Sequence, residues 1–481
     1  MIGLEDALDL DDPDADDFLD GVQGGIVKGH GRDFTAHVLV RLGPDAAAAR
    51  RWLADLAAER VTSAAAARRA TWSWRGSDGP GEPFAMLLLT ASGYRGLGVP
   101  EELLPVPGGP FADPRDAEYF RFGLKEQAGR PRTFADPPVE QWEPAYRERI
   151  DAMVLLADDD EQRLCDALDA VLASAAGVVD VLVTERGRVL RKKFPRGELV
   201  IEHFGFQDGV SQPLVVRQDA EREVRERGNA HWDPAAALSL ALVREPGGGY
   251  GSFMVFRKLE QDVAAFHRAL GDLATATGLP LDAVGAMAVG RFADGTPAVP
   301  TTTPDPGADP NDFHYDQDPA GSRCPFHAHI RKTNPRGDVP RVIGAPAEFE
   351  RSGRVLRRGI TYGERPDLVE GGVPDRPATG VGLLFMCFQA NLDQFAIQQE
   401  GADSADFVSA GVGVDAVIGQ GAAPPPQTWP SDGAVAFTMA NFVRMLGGEY
   451  FFAPSTTFLH GLADTDTDTD TDDASDRGAA S

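Results

Sequence analysis

Three short segments of this chain hold residue types that could do chemistry. The first is CPFHAHIRKTNPR, Cys324–Arg336, in which His327 and His329 stand two apart and Arg331, Lys332 and Arg336 follow at once. On a strand the two imidazoles would share one face. A histidine beside such cations could be a haem ligand whose neighbours pair with the propionates, part of a phosphate site, or a solvated turn. His-x-His could also supply two ligands to zinc or non-haem iron, but a third ligand at suitable spacing is not evident. The second segment is HFGFQDGVSQP, His203–Pro213, where Gly205 and Gly209 bracket Asp208. Two glycines around an acid suggest a tight backbone that aims one carboxylate into a confined place, and the plain alternative is an Asp-Gly turn. The third is RVLRRGITYG, Arg354–Gly363. Adjacent Arg357 and Arg358 on a strand point to opposite faces, so at most one enters a pocket.

The elements that must position these residues follow a recurring pattern of apolar strand, turn and helical period. In the first half, Ala36–Leu42 alternates with Val38, Val40 and Leu42 on one face, and an Ala-rich helix is predicted over 45–58. Phe84–Thr90 and Val178–Thr184 read as further strands, with a helix near 160–175. In the second half, Ser252–Arg257 leads into a helix over 259–271. Gly382–Gln389 leads into another over 391–400, and Glu449–Ala453 closes the series. Strands interleaved with helices in both halves predict an α+β chain of two similar modules. Gly295–Arg323 and 421–432, rich in Pro, Gly and Asp, read as long loops of the kind that is uncommon unless functional or disordered.

Composition limits the partners. Lys plus Arg is 46 and Asp plus Glu is 74, so the formal charge is 46 − 74 = −28. No basic footprint is left to neutralise the phosphates of nucleic acid or an anionic membrane. Apolar residues at 42% and charged residues at 25% are those of a soluble globular protein, and no run reaches the roughly 20 apolar residues of a spanning helix. No export signal is visible at the acidic start, and three cysteines at unrelated spacings suit a reducing cytoplasm. Residues 1–20 and the Asp-Thr tail 462–481 read as disordered ends. Between them, two domains are expected, 21–215 carrying GFQDG and 216–461 carrying His329.

Taken together and in order, these segments resemble the dye-decolorising peroxidases, in their larger-chain branch. The resemblance runs from VQGGIVKGHGRD (Val22–Asp33) through GFQDG (Gly205–Gly209), AHIRKTNPR (Ala328–Arg336) and LRRGITYG (Leu356–Gly363). It continues through GLLFMCFQANLDQF (Gly382–Phe395) and GGEYFFAPS (Gly447–Ser455). It implies two ferredoxin-like α+β domains, each an antiparallel sheet with flanking helices, and one haem b per chain held between them. The implied reaction is oxidation of dyes, phenols and related aromatic donors by hydrogen peroxide. A haem-binding or haem-iron-handling protein on the same fold is the alternative. No oligomeric state is implied.

The same resemblance assigns roles. His329 would be the proximal ligand of the haem iron, Asp208 the distal acid/base and Arg357 the distal cation. Leu383 and Phe385 would line the distal pocket, and Arg331 and Arg336 would contact the propionates. An acid behind the proximal histidine is expected near Asn391 or Asp393, although QANLDQF is one residue shorter than the family's pattern. His327 departs from the small residue usual there and reads as a supporting or surface histidine. Trp429, Tyr362 and Tyr450 are candidates for surface electron transfer from bulky dyes. A carboxylic acid ionises at lower pH than an imidazole, so an Asp base predicts an optimum near about pH 4–5.

Overall fold

The computed structural model describes residues 2–74, 81–126, 132–365, 376–430 and 434–463. Its centre is one ten-stranded antiparallel sheet built by both halves of the chain. The first half contributes β1 (Phe34–Leu42), β2 (Phe84–Leu89), β3 (Ala152–Asp158) and β4 (Val179–Arg188). A hairpin follows, β5 (Leu190–Phe194) with β6 (Gly197–Ile201), and then β7 (Val243–Arg244). The second half contributes β8 (Tyr250–Gln261), β9 (Leu356–Arg357), β10 (Ile360–Tyr362), β11 (Gly382–Gln389) and β14 (Val443–Ala453). Between the last two, β12 (Gln427–Trp429) pairs with β13 (Val435–Phe437).

The sheet order is β10-β11-β8-β14-β2-β3-β1-β4. In each half the first strand therefore lies between the third and the fourth, with the second outside the third. One helix follows the first strand and another follows the third, so both halves have the βαββαβ plan of a ferredoxin-like unit. The ladder between the halves is a single pair, Phe452 on Leu89. Gln23 sews this seam: its side chain bonds Leu87 N and O at 2.9 and 2.8 Å and reaches Pro454 O at 2.8 Å. Gly24 beside it admits no side chain, since a Cβ would stand 2.9 Å from the Phe84 ring. This is what the VQGG segment does in the fold.

Caps set the helix boundaries. Asp45 caps Ala46–Arg60 and Asp160 caps Glu161–Ala175, both near where sequence periodicity puts them. The helix expected over 259–271 instead spans Val263–Thr277. Its start is fixed by Asp262, whose carboxylate accepts from Ala265 N at 2.7 Å, and β8 runs four residues past the predicted strand.

Two expectations about the ends are corrected. Residues 2–20 are ordered, with helix Ala15–Gly21, a parallel bridge from Leu8 to Val216, and Leu8 and Leu19 in the core. Most of the acidic side chains are exposed, while Leu8 and Leu19 are buried and Leu4 and Leu10 half-buried against the core. At the other end Leu462 is also in the core, and the rest of the Asp-Thr tail, from 464, lies outside the described residues. Segment 421–432 is less loop-like than expected, because Gln427–Trp429 is a strand with buried Gln427 and Trp429. Among the described residues no helix is long and apolar enough to cross a membrane.

Candidate active site

One cavity takes in residues from all three segments. Its floor is a face of the second half's sheet: Arg257, Leu259 and Gln261 from β8, Leu383 and Phe385 from β11, and Val443 from β14. The period-2 alternation of β11 explains the choice, since Leu384 and Met386 go to the opposite, fully buried side. Glu202–Pro213 closes one wall, and His329, Ile330, Val417 and Ile418 form another.

His329 opens the short helix His329–Thr333, after a turn in which Ala328 N donates to Pro325 O. Its Nδ1 bonds Asp415 Oδ2 at 2.9 Å. Asp415 is fully buried, and its other oxygen accepts from Val417 N and Ile418 N at 2.8 and 2.9 Å. Burial alone would raise this carboxyl, but the His329 ring and the two amides outweigh it and hold the group below its usual range. An ionised Asp415 makes Nδ1–H the donor and leaves Nε2 with a lone pair.

Asp208 sits in the turn that the two glycines allow, with Gly205 at φ +99° and Gly209 at φ +78°. Its amide donates to Val200 O at 3.0 Å, and its Oδ1 accepts from Gly209 N at 2.6 Å. Arg357, on β9, donates from a terminal nitrogen to Val210 O at 2.7 Å, two residues past Asp208. Among the described residues no ion pair joins Arg357 to Asp208. Arg358 takes the opposite face, where it donates to Gly25 O, Ile26 O and Arg357 O.

The cavity also holds buried cations, of which the sequence singled out only Arg336. Arg291, Arg336 and Arg354 line it at 5%, 1% and 7% exposure. Their donors go to backbone carbonyls, to Ser211 Oγ and to Asn311, and none has a carboxylate partner among the described residues. Burial pushes all three guanidinium groups down, Arg291 to about 10 and Arg354 to about 9, which still leaves those two charged at neutral pH. Buried, uncompensated positive charge is costly unless an anion joins it.

Other expected site residues lie elsewhere. Arg331 is fully buried away from the cavity, held by Asp338 at 2.6 and 3.0 Å and stacked on Tyr315 and Phe326. It secures the loop that carries His329, and no donor is left for a ligand. Asn391 and Asp393 do not meet His329. Asn391 bonds Asp116 at 2.6 Å, and Asp393 pairs with Arg132 at 2.8 Å. Asp415 takes the position behind the histidine. A lone acid in the apolar run GVGVDAVIG was the one available signal, since a charge there needs a buried partner. His327 and His329 do not share a face, because a helix starts between them. His327 is buried, T-packed on Trp429 at 4.3 Å, and burial lowers its ring to about 3. Trp429, Tyr362 and Tyr450 are not surface residues: at 0%, 9% and 1% exposure they belong to the core, placed there by their strands.

No protein-family model matches the chain. The multifunctional dye peroxidase DyP2 of an Amycolatopsis species is 40% identical over 471 residues, covering 92% of this chain and 96% of that one. A dye-decolorizing peroxidase of Auricularia auricula-judae is 32% identical over 67% of each chain. Among solved structures, the DyP-type peroxidase of Anabaena superposes with a TM-score of 0.85 at 35% identity, over 95% of this chain and 98% of that one. On identity of this extent over nearly its whole length, the chain belongs to the dye-decolorizing peroxidases, a family of haem enzymes, and is a peroxidase.

Proposed function

We propose that this chain is a haem b peroxidase, with one haem per chain, that uses hydrogen peroxide to oxidise dyes, phenols and related aromatic donors. The observation that carries the reading is that Asp208, Arg357 and His329, from three distant segments, line one cavity. The cavity suits haem on two further grounds. Its sheet face presents Leu259, Leu383, Phe385 and Val443, an apolar surface for a porphyrin plane, and Arg291, Arg336 and Arg354 offer uncompensated charge to two propionates. In this reading Arg336 keeps the expected propionate role, Arg291 and Arg354 join it, and Leu383 and Phe385 form the apolar wall.

Haem, when bound, would supply an iron able to accept oxidising equivalents from peroxide. His329 Nε2 would hold that iron, with Asp415 fixing the ring's tautomer and orientation. Asp208 would take a proton from one peroxide oxygen and return it to the other. Arg357, anchored by Val210, would stabilise negative charge on the departing oxygen. A phenolic donor is supported by a solved relative, 26% identical with a TM-score of 0.70, that is a complex with 2,6-dimethoxyphenol. The three cysteines are free thiols, in keeping with the reducing cytoplasm where we place the protein.

The test is the visible spectrum of haem-loaded protein before and after one equivalent of peroxide, in wild type and Asp208→Asn. A Soret band that shifts within milliseconds in wild type and slowly in the variant is the expected result. Equally fast shifts in both would move the catalytic burden to Arg357. A band that never responds would favour the haem-handling alternative.

A further inference from the structure

Asp208 has little of its own to hold it. Among the described residues its carboxylate accepts only from the neighbouring Gly209 amide, so its direction is set by the backbone of the turn. That turn runs from Glu202, whose amide donates to Phe206 O at 3.1 Å while its carbonyl accepts from Gly205 N at 2.9 Å. The Glu202 side chain folds back into the same turn and lines the cavity. Its Oε1 accepts from Phe206 N at 3.0 Å, and its Oε2 accepts from Phe204 N at 2.8 Å. A third bond, from Gln261 Nε2 at 2.7 Å, ties the carboxylate to β8.

We infer that Glu202 is a positioning residue for Asp208: its carboxylate pins two amides of the turn to the sheet and so aims the distal carboxyl into the cavity. The inference rests on reading Asp208 as the distal acid/base. Two features agree with it. Two turn amides and a buried glutamine would lose their acceptor without Glu202, which backbone relaxation alone does not repair. Burial raises the Glu202 carboxyl despite its three hydrogen bonds, and the charge of Asp208 adds to the rise.

The test compares haem-loaded wild type with Glu202→Ala, Glu202→Gln, the double variant Glu202→Gln/Gln261→Glu, and Asp208→Asn. Two readouts are taken, the rate of the Soret change with peroxide and the rate of cyanide association, which also needs the distal acid but involves no turnover. Glu202→Ala is expected to slow both by about 10–100-fold, as misplacement of a reacting group by about 1 Å does. Its kcat/KM should fall for peroxide and hold for the dye. Glu202→Gln sets an amide donor against the Gln261 amide. The exchange at 261 restores an acceptor, so the double variant should be faster than the single one. Wild-type rates in Glu202→Ala beside a slow Asp208→Asn would overturn the inference and leave Asp208 in place. Wild-type rates in both would remove Asp208 and the inference together. If Glu202→Ala does not fold, a double variant no faster than Glu202→Gln overturns it.

Discussion

The bond from Asp415 to His329 Nδ1 leaves the ring's other nitrogen as the only one able to face the cavity. Partners behind a metal-bound histidine orient it and raise its basicity, and losing one typically costs about 10–100-fold in affinity or activity. Asp415→Ala is therefore expected to weaken haemin binding by about that factor, read by titrating the apo-protein and following the Soret band. Unchanged affinity with an unchanged spectrum would reduce Asp415 to a capping residue for Val417 and Ile418. The position behind His329 was not legible in the sequence for a physical reason: the pair is separated by 86 residues, and only tertiary folding brings it together. Arginine roles were legible where strand geometry decides them and not otherwise. Alternation alone said that Arg357 and Arg358 part company. Nothing local distinguishes Arg331, sealed by Asp338 and Asp318, from Arg336, which pairs with no acid among the described residues and faces the cavity.

At the scale of elements, periodicity and caps exposed much of the frame, because a strand that buries one or both faces must show it in its letters. The pairing of β9 with β11, Cys387 opposite Arg357, was hidden, since a two-residue strand has no period. The turn carrying Asp208 was legible through its glycines. Gly205 stands at φ +99° with no atom within 4 Å of an ideal Cβ, so a methyl there meets no neighbour and only the backbone is strained. Gly205→Ala is expected to cost roughly 1–2 kcal/mol in urea unfolding, and to slow the peroxide-driven Soret change because the turn must shift. Gly228→Ala is the control. Gly228 ends the helix Arg217–Arg227 at φ +73° with equally open surroundings, and lies outside the cavity lining. It should show a similar stability loss with a wild-type Soret response. If both variants respond to peroxide like wild type, the turn does not hold Asp208.

For the whole molecule, the ladder between the two halves is a single pair, and a buried acid beside it contributes to how the fold answers to pH. Glu245, between β7 and β8, is buried and accepts from Ser455 N at 2.5 Å, just past the end of β14 that Gln23 ties to β2. Burial raises its carboxyl to about 7, against the pull of its Ser455 bonds. In the unfolded chain the group ionises near 4.5. Below that pH both states are protonated and Glu245 is neutral in its effect. As pH rises from about 4.5 to 7 the unfolded chain releases its proton first, so stability falls across this window, and above 7 the full penalty is present. The shift corresponds to about 3 kcal/mol at most. Asp403, raised by burial to about 6, acts in the same direction. Self-repulsion in a chain of net charge −28 does so as well. Glu245→Gln keeps an oxygen for Ser455 N and removes only its own share. The variant should match wild type near pH 4 and exceed it by up to about 3 kcal/mol at pH 8 in urea unfolding, with Asp403 and the surface charge leaving a residual slope in both. Parallel stability curves for the two proteins from pH 4 to 8 would show that Glu245 ionises in the folded state as it does in the unfolded one.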